Sequence, residues 1–273
     1  QSQMTKKLRI LSLGAGVQSS TLALMIEHGE IEPVDFAVFC DTKHETDDTY
    51  EYLEWLKKKC SFEIKTICAG DLLEDTFTKS MNIPFHIKDP EHSKKGGIIR
   101  RQCTSNYKII PVYQEMRKAL GLKKGELNKT GITVEQLMGI SLDEVVRMKI
   151  NQTKWITNVY PLVDMRITRQ GCKDWMAKHK YPTPPRSACW FCPYNSKDRW
   201  NDLKENKPEY FAKAVALDKK VRNFKGPYNS INETAELFVH SRKQPLDEID
   251  FKKKNSNQLE FSEMDECEGV CFI

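Results

Sequence analysis

The stretch from Leu8 to Ile26, LRILSLGAGVQSSTLALMI, constrains this chain more than any other. A short apolar run, Ile10 to Leu13, enters a loop holding Gly14 and Gly16. A helical pattern of Leu22, Ala23, Met25 and Ile26 starts directly after Ser19 and Ser20. The order is strand, glycine loop, helix. Gly14, Ala15 and Gly16 are small enough to let a ligand approach the backbone, and Ser19 and Ser20 can cap a helix whose free N–H groups face a phosphate or sulfate. A tight turn with no ligand has the same outline. The loop is not a Walker A sequence, because no Gly-Lys-Ser/Thr follows, and Gly14, Gly16 and Ser19 do not give G-x-G-x-x-G.

The pattern then alternates. Val34 to Cys40 reads as a buried strand, Thr46 to Lys59 as a helix and Phe62 to Cys68 as a third strand. Such alternation predicts an α/β fold: a parallel twisted sheet with helices on both faces, ligands binding at the carboxyl ends of the strands. Asp41 and Thr42 then share a rim with the glycine loop. Further on, Asp71 to Lys79 reads as a helix, Asn82 to Gly97 as a long loop, and Leu137 to Ser141 and Trp155 to Leu162 as strands. Trp175 to His179 sits in a short helix, and 198–224 is helical. The expected organisation is a nucleotide-binding domain over 4–195, a helical extension over 196–251 and a polar tail over 252–273, which opens on the linker-like KKKNSNQ.

Nine cysteines in a chain with no signal-like segment favour metal or redox chemistry over structural disulfides, and predict a cytoplasmic protein. A mean hydropathy of -0.59 and the lack of a long apolar run argue against a membrane partner. The net charge of +5 suits anionic ligands, nucleic acid among them. The sharpest local signal is Cys189-x-x-Cys192-Pro193, half of a site for one metal or one cluster edge. Its partners come from Cys103, Cys172, Cys267 or Cys271, with zinc and iron–sulfur equally open at this point. Cys40, Cys60 and Cys68 lie in or beside core elements and read as inert thiols.

Five stretches in register resemble one family. Gly14-Ala15-Gly16-Val17-Gln18-Ser19 resembles the modified P-loop, S-G-G-x-D-S, of the adenine nucleotide alpha hydrolase-like (PP-loop) superfamily, in the wording of its phosphoadenosine phosphosulfate (PAPS) reductase branch. Asp41-Thr42 with Glu45-Thr46 is similar to the D-T-G-x-x-x-x-E-T segment. Cys103 with Lys108 and Pro111 is similar to C-C-x-x-R-K-x-x-P of the cluster-containing reductases. Pro161 to Asp164 with Trp175 resembles the P-L-x-D-W region, and Cys189-x-x-Cys192 falls where those relatives place their C-x-x-C.

The resemblance implies an adenine nucleotide (PAPS, adenylyl sulfate or ATP with Mg) held by Ser12, Gly14, Ala15, Gly16, Gln18, Ser19, Ser20, Asp41, Thr42, Gly139 and Asp143. It also implies a [4Fe–4S] cluster on Cys103, Cys189 and Cys192. Thr104 replaces the second cysteine of the pair, and Cys172, one turn before Trp175, is the choice for a fourth ligand. The rival is three ligands with an open iron. Arg100, Arg101, Lys94, Lys95 and Lys108 would hold phosphate or sulfate beside the cluster, with Arg101 and Lys108 the catalytic choices. Glu266-Cys267-Glu268-Gly269 resembles the E-C-G-x-H ending of sulfonucleotide reductases, with Glu268 inserted and no His. Cys267 is the expected nucleophile, Cys271 its resolving thiol or an alternative ligand.

The expected activity is thiol-dependent reduction of a sulfonucleotide or transfer of sulfur, with a thiol reductant such as thioredoxin or a sulfur donor as partner. Gly139-Ile140-Ser141-Leu142-Asp143-Glu144 with Arg147 is similar to the G-I-R-x-D-E-S-x-x-R stretch of ATP-using relatives, DNA phosphorothioation sulfurtransferases among them. Gln18 stands for their Asp and Ser141 for their Arg. A second expectation is therefore ATP-dependent sulfur insertion into nucleic acid, DNA or tRNA. A third is a non-catalytic nucleotide-binding accessory protein with a structural cluster.

Overall fold

The structure is a computed structural model that describes residues 7–91, 93–226 and 231–252. Strand β1 (Lys7–Leu13) leads through the glycine loop into helix α1 (Val17–Glu27). Then come β2 (Phe36–Asp41), α2 (Asp47–Lys59), β3 (Glu63–Cys68) and α3 (Leu72–Thr78), a hairpin of β4 (His86–Asp89) and β5 (Ser93–Ile98), and a π-helical turn over Ser105–Ile109 that runs directly into α4 (Ile110–Ala119). After these follow β6 (Thr133–Met138), β7 (Ile156–Val159), α5 (Pro161–Asp164), α6 (Arg169–Lys178), α7 (Lys197–Asn206), α8 (Pro208–Val221) and β8 (Glu236–Phe238).

The main sheet has five strands in the order β3-β2-β1-β6-β7, and every pairing in it is parallel. Because strand side chains alternate between faces, the sheet feeds two cores. Leu11, Leu13, Ala37 and Phe39 face α1, α2 and α6, whereas Ile10, Phe36, Val38 and Cys40 face Val112 and Met116 of α4. This is the α/β arrangement with helices on both faces that the alternation predicts. Helix α1 is buried from Val17 to Ile26, since it contacts α2, α5 and α6 as well as β1. Burial on every side therefore fits a helix enclosed in the core rather than an amphipathic one, with polar residues Gln18, Ser19 and Ser20 in the first turn.

A third core joins elements distant in sequence. Leu72, Phe85, Tyr107, Trp190 and Phe191 pack with Trp200, Phe211, Leu217 and Phe251, so the segment 196–251 seals the region around the cysteine loop. Several bounds differ from expectation. The segment 82–97, read as a loop, holds β4 and β5, which form a three-stranded antiparallel sheet with β8. The strand expected to reach Leu162 stops at Val159, because Pro161 opens α5. Helix α6 starts before Trp175, where the Thr168 hydroxyl accepts from Gly171 N at 3.1 Å. No helix among the described residues is long and apolar enough to cross a membrane.

Helices α1 and α6 end alike, each reversed by one residue in the left-handed region, Gly29 (φ 73) and Lys180 (φ 57). Lysine has a Cβ that opposes this conformation, so Lys180→Gly is expected to raise stability by about 0.5–1 kcal/mol in a urea titration. Lys178→Gly, two residues earlier inside the helix, is expected to lower it by about as much.

Candidate functional site

The chain leaves β1 toward β2 on one side of the sheet and returns to β6 on the other. The crevice above the carboxyl ends of β1 and β6 is therefore the topological switch point where α/β sheets bind ligands. The glycine loop lies there. Ala15 takes the left-handed conformation (φ 58), and Gly14 N donates to Ser19 Oγ at 3.1 Å, which closes the loop on the first turn of α1. The first N–H of that turn with a backbone acceptor is Ser20 N, bonded to Gly16 O at 3.0 Å. Among the described residues the N–H groups of Val17, Gln18 and Ser19 have no acceptor, the condition an anion meets at a helix N-terminus. Gly139, just past β6, touches this turn so closely that an added Cβ would lie 2.7 Å from Ser19 Cα and 2.8 Å from Ser19 N. The Gln18 amide donates to Ser141 Oγ at 3.4 Å, and Gln136 donates to Ser12 Oγ at 2.8 Å. Ser12 and Ser20 are fully buried, and so is the rest of the loop.

At the end of β2, the Asp41 carboxylate accepts from Lys43 N (2.7 Å) and from the Tyr50 hydroxyl (2.8 Å), which pins the turn. Thr42 Oγ1 lies 3.2 Å from Cys189 Sγ. Glu45 is 4% exposed and accepts from Ser187 Oγ at 3.3 Å. Burial holds its carboxyl above the usual range, opposed first by the nearby Lys108 ammonium. Glu45, Lys108 and Ser187 line a narrow cavity against Gly14, too tight to admit a water molecule.

A second cavity is lined by Cys103, Cys189 and Cys192 together with Thr42, Arg101, Thr104 and Lys108. The C-x-x-C turn is held by Cys192 N donating to Cys189 O (2.9 Å) and by Trp190 N donating to His44 O (3.1 Å), while Trp190 and Phe191 anchor it in the third core. Cys103 N donates to Asn82 O at 3.0 Å. The π-helical turn that follows, in which Ile110 N bonds Ser105 O five residues back, carries Lys108 inward to 8% exposure. Lys108 thus lines both cavities. Burial pushes the Cys189 and Cys192 thiols up. The Lys108 ammonium opposes this at both, and the Arg101 guanidinium is the first opposing charge at Cys192. Arg101 stacks 4.8 Å from the centre of the Tyr194 ring. Among the described residues the buried Thr104 hydroxyl has no partner.

The donor set suits a cluster. Cys103, Cys189 and Cys192 line one cavity, so three sulfur donors face the same space. Three part-buried thiols, two of them costly to ionise alone, beside a buried ammonium and a guanidinium fit a group that supplies positive charge to thiolates.

The structure does not bring Cys172 to the other three. It is 0% exposed in the core between α6 and α1, near the Thr21 hydroxyl, and burial pushes its thiol up to about 12. The Asp143 carboxylate accepts from Arg169 N at 2.9 Å, at the start of α6, the structural role its position near a helix end allows. Cys40 is buried with its thiol pushed up to about 12, as expected of an inert core cysteine. Cys267 and Cys271 lie outside the described residues. Sequence reasoning did not single out Ser187 or the buried position of Glu45. Glu45 stands in the recognised D-T-x-x-E-T stretch, but its contact with residues beside the cysteine loop depends on packing between distant segments.

No family model and no curated protein sequence matches the chain. Solved structures that are similar include a phosphoadenylyl-sulfate (PAPS) reductase from Candida auris in its phosphate complex. It is 14% identical with a TM-score of 0.41, covering 67% of this chain and 76% of that one. Another is the U34-tRNA thiolase NcsA from Methanococcus maripaludis with its [4Fe-4S] cluster. It is 12% identical with a TM-score of 0.40, covering 81% of this chain and 74% of that one.

Proposed function

We propose that this chain is an adenine-nucleotide-binding iron–sulfur enzyme of the PAPS reductase-like kind that reduces or transfers sulfur. One observation carries the reading: the buried Lys108 lines both the cavity against the glycine loop and the cavity of the three cysteines. A nucleotide phosphate on the free N–H groups of α1 and a cluster on Cys103, Cys189 and Cys192 would share one cation between them. The five sequence stretches in register support the same reading. The bound cluster would supply a store of electrons or sulfide and a positive charge near the reacting sulfur. Cys172 leaves the ligand set, so the fourth position falls to a group from outside the described residues, such as Cys267 or Cys271, or to substrate.

In the reductase form, the Cys267 thiolate attacks the sulfonyl sulfur of the nucleotide. A sulfur–sulfur bond forms, the bond from sulfur to the phosphate oxygen breaks, and the nucleotide leaves with the electron pair. A thiol reductant then releases sulfite and is itself oxidised to the disulfide. Lys108 and Arg101 stabilise the negative charge that grows on the leaving oxygens. A second form, ATP-dependent sulfur insertion into a nucleic acid, draws on the contact of Ser141 with Gln18, which sets the Gly139 to Asp143 stretch against the glycine loop.

Anaerobic purification with iron, sulfide and zinc analysis tests the proposal. Iron with matching sulfide is expected in the wild type and in Cys172→Ser, and loss of both in Cys192→Ser. Stoichiometric zinc without iron would overturn the cluster. Sulfite released from a sulfonucleotide with thiol marks the first form, pyrophosphate released from ATP with a nucleic-acid acceptor the second.

A further inference from the structure

The far ends of α1 and α6 carry a second constellation, remote from the glycine loop. Each helix closes with the same backbone motif. In α1, Gly29 N bonds Ile26 O (3.0 Å) and Glu30 N bonds Met25 O (3.0 Å). In α6, Lys180 N bonds Ala177 O (3.0 Å) and Tyr181 N bonds Met176 O (3.0 Å). The capping residue is a histidine in both, His28 and His179, and their rings meet edge to face at 4.7 Å between centroids. Ligand atoms of His28, Glu30 and His179 all lie within 4.8 Å of one another.

We infer that His28, Glu30 and His179 form a binding site for one divalent transition-metal ion of the zinc class, stapling the ends of α1 and α6. The remaining atoms of these groups are already committed in the way metal-ligating side chains require. His179 Nδ1 lies 2.8 Å from Trp175 O. A carbonyl only accepts, so Nδ1 carries the proton and Nε2 keeps its lone pair. His28 Nε2 lies 2.8 Å from the Tyr181 hydroxyl, and in the tautomer in which Nε2–H donates to that oxygen Nδ1 keeps its lone pair for a metal. The Glu30 carboxylate accepts from Trp175 Nε1 at 3.1 and 3.2 Å, a neutral donor that orients it without cancelling its charge.

Two helix carboxyl ends converge here, each with the partial negative charge of its dipole, and Glu30 adds a full one. The field favours a cation. Two imidazoles and one carboxylate favour zinc or a neighbour over calcium or magnesium, which prefer oxygen donors. Ligand atoms around zinc stand about 3.3 Å apart, for bonds of about 2.0–2.1 Å. His28 and Glu30 are exposed and His179 part-exposed, so small rotations would close the remaining gap, with water completing the shell.

The site is independent of the proposed activity, and its test keeps the two apart. Full-length protein is dialysed against chelator and titrated with ZnCl2 by calorimetry, and with CoCl2 while the visible spectrum is recorded. The wild type is expected to bind one equivalent of zinc more than the His28→Ala/His179→Ala double variant. Any zinc taken by the three cysteines is common to both proteins, so the difference reads the histidine site alone. Cobalt in that extra equivalent is expected to show d–d absorption without a thiolate charge-transfer band. Glu30→Gln, which keeps the shape of the side chain, is expected to weaken the extra equivalent at least tenfold, and Tyr181→Phe about tenfold through loss of the bond that orients His28. Equal zinc stoichiometry and affinity in the wild type and the double variant would overturn the site, as would a thiolate band on the extra equivalent.

Discussion

Lys108→Met is expected to keep the fold and lower turnover by about 10²–10³-fold, the usual effect of removing one group that stabilises charge in a closed site. Methionine matches the length of the lysine stem, so packing in a position 8% exposed survives while the ammonium is lost. The ammonium faces Glu45, Cys189 and Cys192, and at each it opposes the upward shift caused by burial. Without it the two thiols ionise less readily, so iron incorporation should fall and become more dependent on high pH. Glu45 responds with a definite sign. Its carboxyl is already held above the unfolded value, and removing Lys108 raises it further. A carboxyl raised by folding contributes stability below its unfolded value and loses it as pH climbs through the folded one. Lys108→Met should therefore be less stable at neutral pH than in mild acid, and adding Glu45→Gln should flatten that slope. Steady-state kinetics, iron content and denaturation across pH check the three parts. Unchanged turnover would remove Lys108 from the chemistry.

Gly139→Ala is expected to be strongly destabilising. The new Cβ would sit 2.7, 2.8 and 2.9 Å from Ser19 Cα, N and Cβ, none of which is the movable end of a long side chain. Relief requires α1 to shift away from β6, and α1 is packed on all sides. Overpacking of this kind costs about 3 kcal/mol or more, which lowers Tm by roughly 6–12 °C in a domain of this size. The atoms that must move belong to the turn with the free N–H groups, so nucleotide affinity should fall at least tenfold. Calorimetric melting and nucleotide titration measure the two effects separately. A small loss of stability with unchanged affinity would show that the first turn of α1 does not hold the nucleotide.

Both substitutions act at places the sequence marks only in part. The glycine loop is legible because strand, small residues and helix are contiguous, and their geometry is set by neighbours in the chain. The parallel sheet is legible from alternation alone. The C-x-x-C is legible for the same local reason. What the sequence does not carry is which distant segments meet. The pairing of β4 with β5 is not legible because the sheet is completed by β8, far along the chain, and a short strand with a remote partner has the composition of a loop. Cys172 shares a helix with Trp175, but that alone does not bring it to the cysteine loop. The face it occupies is set by its spacing from Met176, four residues on, and both point into the core against α1. That spacing was available in the sequence. The meeting of Glu45 with Ser187 was not, since it needs the proline-rich loop to cross the rim of the sheet.

The π-helical turn over Ser105–Ile109 adds one residue to a helix that would otherwise run regularly into α4. Each residue of a regular helix turns the chain by about 100°, so excising one would swing Arg101 and Cys103 about a quarter of the way round the axis relative to Pro111 and the core behind it. The shortened helix would have better backbone geometry, and the cavity would lose a wall. The irregularity thus costs backbone regularity and keeps Arg101 and Cys103 on the wall of the cavity.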